Sequence, residues 1–175
     1  MWKRGKRSRS NSTTRGPRAA SAIAAAQPAG PPPATAGGAP GAVASLARSV
    51  KAEKDANSPF ITGPLQIGEY DALLVAPATA NTVAKIVYGI EDTMLTNAVG
   101  QTAKSDTPIF IMPVDLREGV TVTTRPGGEK LELRIRRIDV ENSDKLRGME
   151  GITVFESPDE IEGIIQDLER RRAAQ

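Results

Sequence analysis

The sequence predicts an α/β protein with a parallel sheet at its centre. Residues 71–76 and 108–112 are short and almost wholly apolar, a pattern typical of strands that are buried on both faces. The sequence between them has helical periodicity, so these segments form a βαβ unit, which we expect to cross over right-handed. The chain of 175 residues is long enough for one domain with a substantial core.

Two helices are predicted inside this unit. Pro77 is expected to end the first strand. One helix should run from 81 to about 89 and the other from about 91 to 104, because apolar residues repeat on one face of each segment.

A β-hairpin is predicted after the second strand. Residues 120–124 and 131–136 alternate between apolar and polar side chains, and Pro126 and two glycines separate them. We interpret this hairpin, with one solvated face, as an insertion on the parallel core. A short helix at 141–149 and a third core strand at 151–155 are expected to follow.

The last predicted helix has a clear start. Ser157 is expected to be its N-cap, Pro158 its first residue, and Glu160 the partner of Ser157 in a capping box. The helix is expected to bury an apolar stripe formed by Ile161, Ile164, Ile165 and Leu168.

The composition excludes several kinds of site. The chain has no Cys, which excludes disulfides, thiolate metal sites and a cysteine nucleophile, and it has no His, which excludes histidine-based catalysis and imidazole ligands. Aromatic residues make up only 3%, which disfavours stacking on nucleic acid. No apolar run approaches the roughly 20 residues of a membrane helix. We therefore expect a cytoplasmic protein with neither a metal site nor a membrane or nucleic-acid partner.

The charge is divided between two regions. Residues 1–50 contain 8 Lys and Arg and no acid, whereas residues 51–175 contain 15 basic and 21 acidic residues. The first region is rich in Ala, Pro and Gly and is predicted to be a disordered basic arm over residues 1–49. We favour a tail without a role, or a wrongly assigned start or reading frame. A nucleic-acid or membrane-surface arm and an organellar transit peptide are the alternatives.

The segment at 76–82 is the candidate binding site. It lies where a parallel strand ends and a helix begins, the place at which open α/β sheets bind ligands and where helix N–H groups suit phosphate. Ala78 and Ala80 would allow a ligand close to the backbone, and Thr79 and Asn81 supply short polar groups. Spacing alone does not separate this hypothesis from simple capping of the helix by Thr79 or Asn81.

This segment, Ala-Pro-Ala-Thr-Ala-Asn-Thr, with the lysine and glycine that follow it, resembles the Pro-Ala-Ser-Ala-Asn-Thr motif of the homo-oligomeric FMN-binding flavoproteins. That superfamily includes the peptidyl-cysteine decarboxylases. The longer stretch 76–93 resembles its archaeoflavoprotein and dihydromethanopterin reductase (acceptor) branch more closely, as do residues 57–60, 139–142 and 146–152. The resemblance spans roughly residues 50–165 and defines a predicted flavoprotein domain over 50–175.

The resemblance implies a flavodoxin-like, Rossmann-type three-layer fold with FMN at a subunit interface. The residues that match the motif are implied to contact the flavin or its ribityl phosphate; they are Pro77, Ala78, Thr79, Asn81 and Thr82. Lys85 is implied to add charge near the phosphate, with an ordinary helix-surface lysine as the alternative.

Two further segments are implied to reach the cofactor. One approaches FMN from a helix and contains Asp92, Thr93 and Asn97, for which helix capping and surface exposure are the alternative. The other would wall the flavin from a loop and contains Asn57, Ser58 and Phe60. Phe60 would otherwise belong to the core.

The implied reaction is hydride or electron transfer through FMN to the CH–NH system of a reduced pterin, dihydromethanopterin. The implied partners are FMN, this substrate, an electron donor and further copies of the chain in a trimer-based assembly. No catalytic residue is identified. Cysteine decarboxylation is disfavoured, because that branch uses a histidine and has a Met-Asn motif where this chain has Met112-Pro-Val-Asp115.

The chain departs from the family pattern at its front. Flavodoxin-like domains begin with a central strand and a phosphate loop, for which residues 1–50 offer no candidate. A shifted reading frame in a GC-rich gene would produce such a segment, and a shortened variant with an unrelated tail is the alternative. Without that strand, residues 71–76 would have an exposed apolar edge, so we expect FMN binding to be weak or absent and the chain to aggregate. A non-catalytic binding or assembly protein, a flavin electron carrier and an arm-driven nucleic-acid binder therefore stay open.

Overall fold

The computed structural model describes residues 21–23, 53–58, 60–125 and 127–174. Four parallel strands form one sheet in the order β1-β2-β3-β6, and two antiparallel strands form a separate hairpin, β4-β5. The strands are β1 Ser21–Ile23, β2 Leu73–Ala78, β3 Ile109–Pro113, β4 Gly119–Thr124, β5 Lys130–Ile135 and β6 Ile152–Val154.

Five α-helices connect or flank these strands in the described part of the chain. They are α1 Thr62–Gln66, α2 Ala80–Val87, α3 Met94–Thr102, α4 Arg137–Arg147 and α5 Ile161–Ala173. A single 3-10 turn, Pro158–Glu160, leads into α5. The predicted α/β class with a parallel sheet and an inserted hairpin is confirmed.

Strand β1 corrects the prediction that no strand precedes β2. Ser21, Ala22 and Ile23 pair in parallel with Leu73, Leu74 and Val75, so β2 has a hydrogen-bonded neighbour on this side. The segment was missed because strand pairing uses main-chain N–H and C=O groups, whereas the prediction depended on large apolar side chains. Apart from these three residues, the predicted disordered arm of residues 1–49 lies outside the described residues, and the domain division stays a prediction.

Strand β2 extends further than predicted. Pro77 does not end it: the strand continues to Ala78, which pairs with Pro113 after an irregularity in register beyond Val75. The Val114 N–H donates to the Ala78 carbonyl at 3.1 Å, so the pairing continues past the proline. As a result, the ends of β2 and β3 lie side by side at the carboxyl edge of the sheet.

The core lies on one face of this sheet. Leu73, Val75, Ile109 and Ile111 are at most 1% exposed, whereas the residues that alternate with them are partly covered. We predicted that these strands are buried on both faces. Within the described residues, β2 and β3 are fully buried on one face and only partly covered on the other. Helices α2 and α4 pack side by side, with Val83, Ile86 and Leu146 in the core.

The hairpin and helix α4 follow the predicted order with shifted bounds. Every residue of β4 is exposed, so this strand is solvated on both faces in the described structure, and the prediction of a single solvated face is wrong for it. Helix α4 begins at Arg137, four residues before its predicted start, because Arg136 and Asp139 form a capping box there.

Helix α5 has the predicted start but not the predicted burial. Ser157 and Glu160 form the capping box, although Pro158–Glu160 is a 3-10 turn rather than the first α-helical turn. No residue of α5 is buried, and Ile165 is 39% exposed. The predicted buried stripe is therefore wrong for the described structure, because the surrounding described elements cover this face only in part.

Candidate functional site

The turn between β2 and α2 presents the candidate motif at the carboxyl edge of the sheet. Ala78 is fully buried as the last residue of β2, and Thr79 is the N-cap of α2. The Thr79 hydroxyl accepts a hydrogen bond from the Thr82 N–H at 3.4 Å and lies 3.2 Å from the Thr82 hydroxyl. Thr79 therefore does cap the helix, the structural role considered for it above.

Asn81 is the most accessible polar side chain of this turn. It is exposed, and its side chain makes no hydrogen bond within the described part of the chain. The first turn of α2 carries no acidic residue. No side chain of this first turn therefore places a carboxylate at the positive end of the helix dipole, which suits oxygen-rich or anionic groups of a ligand.

A polar cluster occupies the next strand end. Ser143 of α4 donates through its hydroxyl to the Asp115 carbonyl at 2.9 Å and lies 3.1 Å from the Asp139 carbonyl, which ties α4 to the segment after β3. Arg136 holds the buried Asp139 carboxylate through Nε and Nη2, at 2.9 and 2.7 Å. These hydrogen bonds from Arg136 lower the pKa of Asp139 below its ordinary value.

The pKa of Asp115 is shifted in the opposite direction from that of Asp139. Burial raises the pKa of its carboxyl group, and the nearby Asp139 charge raises it further, against a smaller opposing effect of Arg136. Its carboxylate accepts no hydrogen bond from the described residues. Asn142, one turn along α4 from Asp139, is 3% exposed, and its side-chain oxygen also has no hydrogen-bond partner in the described structure.

A loop before α1 is fastened to the start of α3. The Asn97 amide donates to the Ala56 carbonyl at 2.9 Å and to the Asn57 side-chain oxygen at 2.7 Å. Glu53 accepts a hydrogen bond from the Met94 N–H at 2.9 Å, so its carboxylate satisfies a free donor at the helix N-terminus. Thr93 is the N-cap of α3 and forms a capping box with Thr96.

The comparisons with known proteins identify the family. Residues 45–173 match the family model described as Flavoprotein. The chain belongs to the Flavoprotein family. The resemblance inferred from the motif is therefore confirmed.

Two curated proteins of Methanocaldococcus jannaschii are relatives of this flavoprotein-family chain. An uncharacterized protein is 52% identical over 116 residues, which cover 66% of this chain and 62% of that protein. A dihydromethanopterin reductase (acceptor) is 30% identical over 154 aligned positions, which cover 58% of this chain and 63% of the relative.

Among solved structures, the chain is similar to DmrB of Burkholderia xenovorans, crystallised in complex with FMN and described as a cubic protein cage for redox transfer. The TM-score is 0.54 at 37% identity, covering 61% of this chain and 58% of that one. The chain thus spans about three fifths of the length of these relatives.

The structure brings the predicted cofactor residues of this flavoprotein together in pairs. Thr79 lies against Thr82, Asn57 against Asn97, and Lys85 forms an ion pair of 2.9 Å with Asp92. Lys85 is thus already paired with a carboxylate, and Thr93 has the capping role that was its alternative. Pro77 is exposed and Ser58 partly exposed.

The exposure of Phe60 decides whether this residue belongs to the core. Its side chain is 65% exposed, so it does not belong to the core of the described structure. It follows the loop of Asn57 and Ser58 directly, as the proposed wall of a cofactor site would require. The contacts with FMN that the resemblance implies stay predictions for all twelve residues.

Sequence reasoning missed the polar cluster after β3, formed by Asp115, Arg136, Asp139, Asn142 and Ser143. One signal was available, because residues 139–142 are part of the family resemblance, but no function was attached to them. No helix among the described residues is long and apolar enough to cross a membrane. The same residues contain no group of three or more acidic side chains placed to hold a metal ion.

Proposed function

We propose that this chain is an FMN-dependent oxidoreductase that transfers hydride or electrons to a reduced pterin of the dihydromethanopterin type. The observation that carries the proposal is the turn at 76–82, which presents small and neutral polar residues at the carboxyl edge of a parallel sheet. Membership of the Flavoprotein family and the similarity to an FMN-containing structure and to a dihydromethanopterin reductase support it.

The residues of the turn fit FMN. Ala80, the partly exposed first residue of α2, has no side chain beyond Cβ, which allows a planar ring or ribityl chain to approach the backbone. The first N–H groups of α2 point out of the helix end, and the Thr79 side chain satisfies only that of Thr82. Asn81, with both a donor and an acceptor and no partner among the described residues, suits the mixed polar edge of a flavin.

In this proposal, bound FMN supplies hydride or electron transfer, and the protein supplies binding and orientation. Asn81 orients the polar edge of the ring, and the α2 N-terminus stabilises negative charge on the cofactor. Lys85 acts on the phosphate only at a distance, because its ammonium group is already paired with Asp92. The Asn57–Asn97 contact holds the loop that walls the site.

The assembly is part of the same proposal. The exposed Phe60 ring lies beside the loop of Asn57, where a second copy of the chain would cover it and exclude water from the flavin. We therefore expect a homo-oligomer in which FMN lies at an interface, built from trimers. Size measurement of the FMN-loaded protein tests this expectation.

The decisive experiment is to titrate the purified chain with FMN and follow the flavin absorbance and fluorescence. Because β1 pairs with the edge of β2 whose exposure predicted weak or absent binding, the chain should bind FMN. The loaded protein should then reduce dihydromethanopterin when a chemical reductant supplies electrons. The matched variant Asn81→Ala should bind FMN more weakly. A colourless, soluble oligomer that binds no FMN would refute the proposal and favour a non-catalytic binding protein. Flavin binding without pterin reduction would favour an electron carrier.

A further inference from the structure

Two hydrogen-bond acceptors without partners lie in the polar cluster after β3. Asp115 follows the end of β3, and its carboxylate accepts no hydrogen bond from the described residues. The oxygen of the Asn142 amide is buried and likewise has no hydrogen-bond partner in the part of the chain that the structure describes. Because a buried acceptor without a donor destabilises the folded protein, the Asn142 oxygen, in one cluster with the partly exposed Asp115 carboxylate, indicates a ligand that brings donors.

Neighbouring residues explain why these two acceptors stay free. The Arg136 guanidinium, whose charge acts on Asp115, donates two hydrogen bonds to the Asp139 carboxylate, and the Arg136 main-chain N–H donates a third. Ser143 uses its hydroxyl for the main-chain carbonyls of Asp115 and Asp139. The cluster therefore contains a satisfied acid, Asp139, beside an acid and an amide that are not satisfied.

The cluster borders the proposed flavin site. Asp115 lies two residues beyond Pro113, which pairs with Ala78 of the motif, so both strand ends open at the same edge. Asn142 and Asp139 belong to the buried stripe of α4, the helix that packs beside α2. A substrate that reaches the flavin from this side would meet Asp115 at the surface. Asn142 is buried on the face of α4 that contacts the Asp115 segment through Ser143.

The chemistry of the acceptors selects among heterocycles. A carboxylate binds best to two adjacent N–H donors that match its two oxygens. The amino-pyrimidinone ring of a pterin offers such a pair, a ring N–H beside an exocyclic amino group. The flavin ring does not, since its one ring N–H in this region lies between two carbonyl oxygens, which a carboxylate would repel.

We propose that Asp115 and Asn142 determine substrate specificity by accepting hydrogen bonds from the amino-pyrimidinone edge of the reduced pterin. This inference rests on the proposed function and adds the residues that recognise its substrate. Asp115 binds the ring N–H and amino pair, and Asn142 accepts one further donor from the same substrate.

The test measures binding of dihydromethanopterin to the FMN-loaded protein by calorimetry, without an electron donor. Asp115→Asn should weaken pterin binding about ten- to a hundredfold, since it removes a charge-assisted hydrogen bond, and should leave FMN affinity unchanged. A reduced lumazine, in which oxygen replaces the amino group of pterin, should bind the wild type more weakly than reduced pterin. Asp115→Asn should lose this preference. If the variant fails to fold, the comparison of reduced pterin with reduced lumazine on the wild type still tests the inference.

Asn142→Leu and Thr102→Val provide a matched pair. Both residues have a buried side-chain oxygen without a partner, but Thr102 lies at the C-terminal end of α3, outside the cluster. Each substitution should raise thermal stability, because it removes an unsatisfied acceptor. Only Asn142→Leu should also weaken pterin binding, an effect that a purely structural role would not produce.

Three results would overturn the inference. The inference is overturned if Asp115→Asn binds pterin with wild-type affinity. It is also overturned if the variant loses FMN affinity and pterin affinity equally. Either result leaves the proposed function standing. FMN binding by a wild-type protein that binds no pterin would overturn the proposed substrate and this inference with it.

Discussion

Asn97 provides the sharpest test of how the loop at 53–58 is held. Its amide nitrogen donates to Ala56 at 2.9 Å and to Asn57 at 2.7 Å, and the residue is only 9% exposed. Asn97→Ala removes both hydrogen bonds, each of which contributes about 1 kcal/mol. Alanine regains about 0.5 kcal/mol through its better helix propensity. The free energy of unfolding should therefore fall by about 1.5 kcal/mol.

Urea denaturation followed by circular dichroism measures this loss. For a domain of this size the slope is about 1–3 kcal/mol per M urea, so the midpoint should fall by roughly 0.5–1.5 M with an unchanged slope. A fall of this size without FMN present would show that the loop contact, rather than the cofactor, accounts for the burial of Asn97.

Asn81→Ala is the matched control, because the same substitution is made in a helix at an exposed side chain without a hydrogen bond among the described residues. Its stability should change by less than about 0.5 kcal/mol, while its FMN affinity falls. The reasoning is refuted if Asn97→Ala keeps wild-type stability, or if Asn81→Ala loses stability and keeps FMN affinity.

Three further predictions concern the core residue Ile111, the helix cap Thr79 and the buried acid Asp139. Ile111→Ala, at a fully buried position of β3, should lower the free energy of unfolding by about 2–5 kcal/mol in urea denaturation. Thr79→Ala should lower it by about 1 kcal/mol and weaken FMN binding, whereas Thr79→Ser should retain the cap. The lowered pKa of Asp139 means that its carboxylate stabilises the fold above its ordinary pKa and that this stabilisation is lost as the pH falls through the folded-state value. Asp139→Asn should therefore be less stable than the wild type at neutral pH, and this difference should shrink on acidification, as thermal melts over a pH series would show.

Local patterns predicted most elements between residues 71 and 174 to within a few residues. The apolar runs of β2 and β3 and the alternation of the hairpin are properties of neighbouring residues, so they can be seen without the tertiary structure. Pro77 was misjudged because the irregular register beyond Val75 accommodates a residue without an N–H. Strand β1 and the half-covered face of α5 depend on distant segments, which a local pattern does not reveal.

The site was predictable only where a motif marks it. The turn of Thr79 and Asn81 could be placed at a strand end from the order of elements, and the structure confirms that position. The cluster after β3 could not, because Asp115 and Asp139 are 24 residues apart and the exposed hairpin separates them. Only the return of α4 to the sheet brings them together, through the hydroxyl of Ser143.

The different chemistry of the two strand ends suggests that one binds the cofactor and the other the substrate. The turn after β2 is neutral at its helix start, which suits a cofactor with phosphate and carbonyl oxygens. The segment after β3 contains Asp115, an acid whose raised pKa reflects burial beside Asp139 and which suits N–H donors rather than oxygens. Since adjacent parallel strands open at one edge, a change after β3 alone would alter the substrate without disturbing FMN. Asp115, which stands near the place of the Met-Asn motif of the decarboxylases, is the residue at which such a change should act.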